Sequence, residues 1–177
     1  IVVPAIIALV LLLVFFIYRS NNIVHETKQA LYDETFVTTS SILNADRDFY
    51  QAAIAEKELV VCGEDLDSER KEQLIKDFNE NVTQTMELIN AALENIKGNT
   101  ELYSEFKDST SNVTLEQLGE SFKTDFTLWQ DAYNIEAGTG DMSARLEAFD
   151  KARSNINLMT ELLEKYAEKR SDEINSQ

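Results

Sequence analysis

The sequence is poor in the residues that break helices and in those that build compact catalytic centres. Its 177 residues include one proline, five glycines, one histidine and one cysteine. So few turn residues argue against sandwiches, barrels and glycine-rich phosphate loops, all of which need them often. One histidine and one cysteine cannot make a zinc cluster or a disulfide framework. Positive charge is scarce as well: 16 Lys and Arg stand against 32 Asp and Glu, a formal charge of −16. A nucleic-acid binder needs a basic face, so that class is excluded. No nucleophile stands in register with a base, and we read no enzyme, no cofactor and no metal ion. What remains is a helix-forming composition rich in Glu, Asp, Lys, Leu and Ala. Phe, Tyr, Leu and Ile recur at regular intervals, which argues against disorder.

Residues 1–18 carry no charge. At 1.5 Å per residue they span about 27 Å, close to the hydrocarbon thickness of a bilayer. A cleaved signal peptide would have a shorter apolar core and small residues at its end. Here the run closes on Phe15-Phe16-Ile17-Tyr18-Arg19, bulky and then basic, which suits an interfacial anchor. A retained transmembrane helix over 1–18 is the expectation, with Pro4 in its first turn where a missing donor costs little. The chain begins without methionine and has no stop pattern at its end, so a longer protein is expected. The acidic excess of residues 19–177 points to an outward-facing domain.

Helical periodicity then recurs four times. Residues 23–61 carry two adjacent apolar seams: Tyr32, Thr39, Leu43, Tyr50, Ala53 and Val60, and beside them Ile42, Ala45, Phe49, Ala52 and Leu59. Two stripes imply a helix with two neighbours. Residues 67–97 follow, capped by Asp67 or Ser68, with Ile75, Phe78, Val82, Thr85, Ile89, Ala92 and Ile96 in rhythm. After an ambiguous stretch over 99–113, Thr114 caps a helix over 114–137 carrying Leu115, Leu118, Phe122, Phe126, Trp129 and Tyr133. The last, over 142–177, has its seam on Met142, Leu146, Phe149, Arg153, Ile156, Thr160, Leu163 and Ile174. Short polar turns between long amphipathic helices imply antiparallel neighbours. The expected fold is all-α, an up-down-up-down four-helix bundle preceded by one transmembrane helix. A second span just beyond Gln177 would complete the hairpin.

A membrane helix continuing into a long helix that carries Leu43-Asn44-Ala45-Asp46-Arg47-Asp48-Phe49-Tyr50-Gln51-Ala52 resembles the four-helix-bundle ligand-binding domain of bacterial methyl-accepting chemotaxis proteins. The likeness in plan spans the chain, while the motif covers that one stretch. The resemblance implies a homodimer of extracytoplasmic bundles on the inner membrane of a bacterium, a second span, a HAMP linker and a methylated signalling coiled coil. It also implies a small-molecule ligand. The same module occurs on histidine kinases and cyclases. In the aspartate-type receptors of this superfamily, arginines of the first helix hold ligand carboxylates at the dimer interface, and Arg47 is similar in helix and level.

Several local features have ordinary explanations. His25 is a solvated surface residue, and Cys62 is a free thiol at a helix-ending turn. Gly63-Glu64-Asp65-Leu66-Asp67 lacks calcium-loop spacing and reads as capping acids. Gly138-Thr139-Gly140 follows a helix rather than a strand, so it is no phosphate loop. The sequons at Asn81 and Asn112 are incidental in a bacterial protein.

The informative residues are charges that interrupt apolar seams: Asp46 on the first helix, Arg153 on the fourth and Asp125 beside the seam of the third. Buried charge is costly unless paired, so each calls for a partner or a wet cavity. Counting from the distal turns places Tyr50, Phe78, Trp129 and Arg153 at one height, about 16 Å below the tip. Tyr50, Phe78, Trp129, Tyr133, Phe149 and Arg153 are therefore candidates to line one cavity, with Asp46 and Arg47 at its edge. Aromatic walls with one or two convergent charges describe a small-molecule site. The competing reading is an aromatic core layer closed by an Asp46–Arg153 ion pair. An arginine fork suits a carboxylate and Asp46 an amine, so organic acids and amino acids are the expected ligand classes. The alternatives in function are a histidine-kinase sensor module and a ligand-free, membrane-anchored structural bundle.

Overall fold

The computed structural model describes residues 2–176, without the side chains of residues 2–8 and 23. Ile1 and the amino-terminal side chains of the expected span over 1–18 lie outside the described residues, as does Gln177. The chain is all-α. Its long helices are α1 (Val2–Cys62), α2 (Ser68–Ile96), α3 (Leu115–Ala132) and α4 (Met142–Asn175). A π-helical turn, Glu101–Glu105, precedes α3, and the two-residue strands β1 (Tyr133–Asn134) and β2 (Thr139–Gly140) separate α3 from α4.

Helix starts follow capping chemistry. Asp67 accepts the Arg70 N–H at 2.7 Å. Thr114 and Gln117 form a reciprocal capping box, and Asp141 accepts from the N–H groups of Ser143 and Ala144. Each satisfies donors that a helix start leaves free.

The third helix is shorter than its expected range of 114–137. It ends at Ala132, where Tyr133 turns extended at φ −148°. The chain then doubles back through an antiparallel pairing of Tyr133 with Gly140 and Asn134 with Thr139. Gly138 at φ 64° and Gly140 at φ 148° make that return. A side chain at Gly140 would collide with the Ala132 carbonyl, so glycine is required there. Apolar rhythm extends to Tyr133, but backbone geometry at the two glycines overrides it.

Cross-helix contacts set the directions. Glu58 meets Arg70 and Thr38 meets Asn95, so α1 and α2 run antiparallel. Lys28 meets Asn175 and Asp46 meets Arg153, which does the same for α1 and α4. Asp125 meets Asn155 across α3 and α4. α1 packs most extensively on α2, and α3 on α4. Gly119 of α3 lies so close to Leu93 of α2 that a Cβ there would displace the leucine methyls.

The seam of Ile42, Ala45, Phe49 and Ala52 is buried. The neighbouring seam is not: Tyr32, Leu43, Tyr50 and Val60 are exposed, together with Phe36, Ile54 and Val61. On α4 the buried set is Arg145, Ala148, Ala152, Ile156, Met159, Leu162, Leu163, Tyr166 and Ile174. Of these, Ile156, Leu163 and Ile174 belong to the expected seam, the other six lie beside it, and Leu146 is exposed. Residues 9–18 are exposed along α1. Among the described residues, α1 alone has a stretch long and apolar enough to cross a membrane, by length and composition.

The ambiguous stretch over 99–113 is tied down by polar contacts. Asp108 accepts from the N–H groups of Thr110 and Ser111, from the Ser111 hydroxyl and from Lys165 Nζ of α4. Asn99 donates to Glu34 of α1 at 2.9 Å and to the Tyr166 hydroxyl of α4 at 3.2 Å.

Candidate functional site

The distal half of the core is aromatic. Phe49 of α1 stands at its centre, with ring centroids 4.8 Å from Trp129, 4.6 Å from Phe149 and 5.0 Å from Phe126. Phe78 of α2 closes on Trp129 at 5.5 Å. Edge-to-face and tilted pairs of this kind satisfy the ring quadrupoles and add to the area they bury.

Against this cluster lies a buried charge pair. Arg145, in the first turns of α4, has a side chain only 1% exposed and forms an ion pair with Glu56 of α1, 6% exposed. The Asp141 cap and the hairpin before it deliver the guanidinium to the end of α3. There Nη1 donates to the carbonyls of Trp129 at 2.5 Å and Tyr133 at 3.1 Å. These carbonyls belong to the negative end of the helix, which favours a cation. The guanidinium carbon also stands 4.3 Å from the Trp129 ring centroid and 5.5 Å from that of Phe78, an arrangement suited to cation–π attraction. Its remaining nitrogen, Nη2, is buried with no hydrogen-bond partner. Burial pushes the Glu56 carboxyl above its ordinary range and outweighs the opposing pull of Arg145.

A cavity of about 500 Å³ opens beside this pair, between α1 and α4. α1 contributes Tyr50, Ala53, Ile54, Val60 and Val61, and α4 contributes Met142, Leu146 and Phe149. Trp129, Glu56, Lys57 and Arg145 complete the wall. Its size falls in the range of small-molecule sites, and apolar walls with a few convergent polar groups are their usual make-up.

No family model, no curated protein and no solved structure matches the chain. The site rests on its own geometry.

Of the residues expected at a site, Tyr50, Trp129 and Phe149 line the cavity. Phe78 and Tyr133 do not line it; their rings lie 5.5 and 5.8 Å from the Arg145 guanidinium carbon. Arg153 and Asp46 form a bidentate pair at 2.8 and 2.9 Å, with the Arg153 guanidinium 5.3 Å from the Tyr50 ring. Their side chains are 33% and 21% exposed. Both Asp46 oxygens are engaged by the Arg153 fork, as in the core-layer reading. Arg47 points outward, 59% exposed, and pairs with its neighbour Asp48 at 2.7 Å.

Arg145 and Glu56 escaped the sequence reading. Glu56 falls in the gap of the buried seam, between Ala52 and Leu59. Arg145 begins the α4 seam that is actually buried, in phase with Ala148, Ala152, Ile156 and Met159. An acid and an arginine in the core-facing register, both near the distal turns, were the available signal. Among the described residues, no cluster of three or more His, Cys, Asp or Glu is placed to hold a metal ion.

Proposed function

We propose that the chain is the extracytoplasmic four-helix-bundle sensor domain of a bacterial transmembrane chemoreceptor, anchored in the inner membrane by residues 1–18. The carrying observation is the cavity between α1 and α4, one wall of which belongs to a helix that continues into an exposed apolar stretch. A small molecule seated there touches both helices. It favours one relative offset of α4 over another, by no more than its differential affinity for the two, ~1–3 kcal/mol. The displacement then travels along α4 toward a following span. The exposed stripe of Tyr32, Phe36 and Leu43 on α1 supports a homodimer, because the other helices pack on the face that carries Ile42, Ala45 and Phe49 and leave this one uncovered.

Lys28 and Asn175 touch at 2.7 Å near the proximal ends of α1 and α4, which makes them a gauge of offset. With Cys62 changed to serine, cysteines at 28 and 175 in membranes should crosslink at a rate that shifts when a bound amino acid or organic acid is present. A ligand that binds saturably and leaves that rate unchanged defeats the sensor reading. Cysteines placed singly along the exposed stripe should crosslink between copies with helical periodicity, and their uniform failure to do so removes the dimer.

A second reading is favoured by the Asp46–Arg153 pair, which is satisfied without any ligand. In it the chain is a membrane-anchored structural bundle, and no small molecule stabilises it. A histidine-kinase sensor shares every feature of the first reading and differs only in its output.

A further inference from the structure

The cavity beside Arg145 has a more specific chemistry than a generic small-molecule site. Nη1 of Arg145 is held by the α3 carbonyls, and Nε and Nη2 have no hydrogen-bond partner; Nε is ion-paired with Glu56, which leaves Nη2 as the edge with nothing set against it. An unpartnered N–H on a buried cation is costly, because its desolvation is not repaid. An anionic oxygen is the group that repays it best. Arg145 lines the cavity beside Glu56 and Lys57, and the rest of the wall is largely apolar, with Ile54, Val60, Met142, Leu146 and Phe149.

We infer that this cavity binds a monocarboxylate with an apolar or aromatic body, its carboxylate on Nη2 of Arg145 and its body against Trp129, Phe149 and Leu146. One negative charge is the limit. Arg145 is the one buried cation on the wall and is already shared with Glu56, so a second carboxylate would have no buried cation or open N–H to meet it. Lys57, also on the wall, is exposed and offers only a solvent-screened contact. An ammonium ligand is disfavoured by the guanidinium itself. Because Nη2 is covered as well as unpaired, the carboxylate reaches it only as the α1 and α4 walls part. Binding and helix spacing are thereby linked. The inference rests on reading this cavity as a ligand site.

The test is calorimetric titration of the full chain, solubilised in mild detergent, with four probes: 3-phenylpropionate, its amide, succinate and phenethylamine. Fluorescence of Trp129, the one tryptophan in the sequence, gives a second readout. Saturable binding of 3-phenylpropionate is expected, with the other three weaker by at least about tenfold. Arg145→Lys, which keeps the charge but loses the fork, should weaken it by about 10–100-fold. Ala53→Phe should abolish it by filling the cavity while leaving the ion pair and the helical circular dichroism intact, so the result does not depend on the arginine variant folding. Equal binding of the amide, tighter binding of succinate or phenethylamine, unchanged affinity in a folded Ala53→Phe variant, or no saturable binding of 3-phenylpropionate overturns the inference. The 28–175 crosslink separates the two levels. Succinate that binds and shifts the crosslink overturns the ligand class and spares the sensor; 3-phenylpropionate that binds without shifting it does the reverse.

Discussion

Glu56–Arg145 and Asp46–Arg153 each join an acid of α1 to an arginine of α4, with the two acids about 15 Å apart along the helix. The chemistry is the same and the surroundings are not. Asp46 and Arg153 meet fork to fork and stay partly wet, with both carboxylate oxygens bonded. Glu56 and Arg145 are shut inside an aromatic layer and share the arginine with the last turn of α3; Nε is ion-paired with Glu56 without a hydrogen bond, and Nη2 has no hydrogen-bond partner. The outer pair is a clasp complete in itself. The inner one is complete only with α3, and then not fully, which is what a binding group needs.

The largest expected effect lies at the inner pair. Glu56→Ala leaves a buried guanidinium uncompensated and should cost ~3–5 kcal/mol of folding stability, read by denaturant unfolding of the full chain in mild detergent. The double replacement Glu56→Leu with Arg145→Met should recover much of that loss, since apolar residues of similar volume often replace a buried pair without penalty. A double variant as unstable as the single one would show that Arg145 matters chiefly through the α3 carbonyls.

At the outer pair the effect should be smaller. Asp46→Ala and Arg153→Ala should each cost about 1 kcal/mol, with a coupling of that size or less in a double-mutant cycle, as partly solvated pairs do. Costs equal to those at Glu56 would erase the distinction between the two pairs.

Acid-base behaviour sharpens it further. Glu56 has its carboxyl raised above the ordinary 4.5, so the folded state holds its proton longer than the unfolded chain does. Its contribution to stability is full below pH 4.5 and falls as pH rises through the raised value. A Glu56→Gln variant should lack that decline when melting is followed from pH 4 upward. A parallel decline in both proteins would assign it elsewhere.

The smallest expected effect is at the proximal loop. Four donors, Lys165 foremost, hold the Asp108 carboxyl far below its ordinary 3.8. Its contribution is therefore present above pH 3.8 and lost as pH falls below it. Asp108→Asn should lower Tm slightly at neutral pH, and the gap to the parent protein should close on acidification beneath pH 4.

Much of this was legible in the sequence. Capping at Asp67 and Thr114 and most of the seams of α2 and α3 follow from local chemistry: Phe78, Val82, Thr85, Ile89, Ala92 and Ile96 are buried on α2, with Leu74 in place of Ile75, and Leu115, Leu118, Phe122, Phe126 and Trp129 on α3. Two features required tertiary information. Periodicity cannot tell which of two adjacent stripes on α1 meets α2 and α4, because both are apolar; the stripe with Phe49 is buried and the one with Tyr50 is not. On α4 the expected seam took Leu146 as core because it is apolar, whereas the core-facing position belongs to Arg145. An arginine is a reasonable choice there only when helix-end carbonyls and an acid wait for it, and those come from α3 and α1. Of the four residues counted from the turns to one height, Tyr50 and Trp129 line the cavity, while Phe78 and Arg153 do not. The anchoring charge of the site was not among them.

α1 runs from Val2 to Cys62 as one uninterrupted α-helix of 61 residues, about 90 Å long. Its one proline stands near the beginning, at position 4, and no glycine interrupts it before Gly63. Such a rod has no joint at which to absorb a movement. A tilt of about 5° at one end carries the other through about 8 Å, so a side chain pushed aside at Tyr50 or Ile54 has the mechanical advantage of a long oar over whatever holds the opposite end.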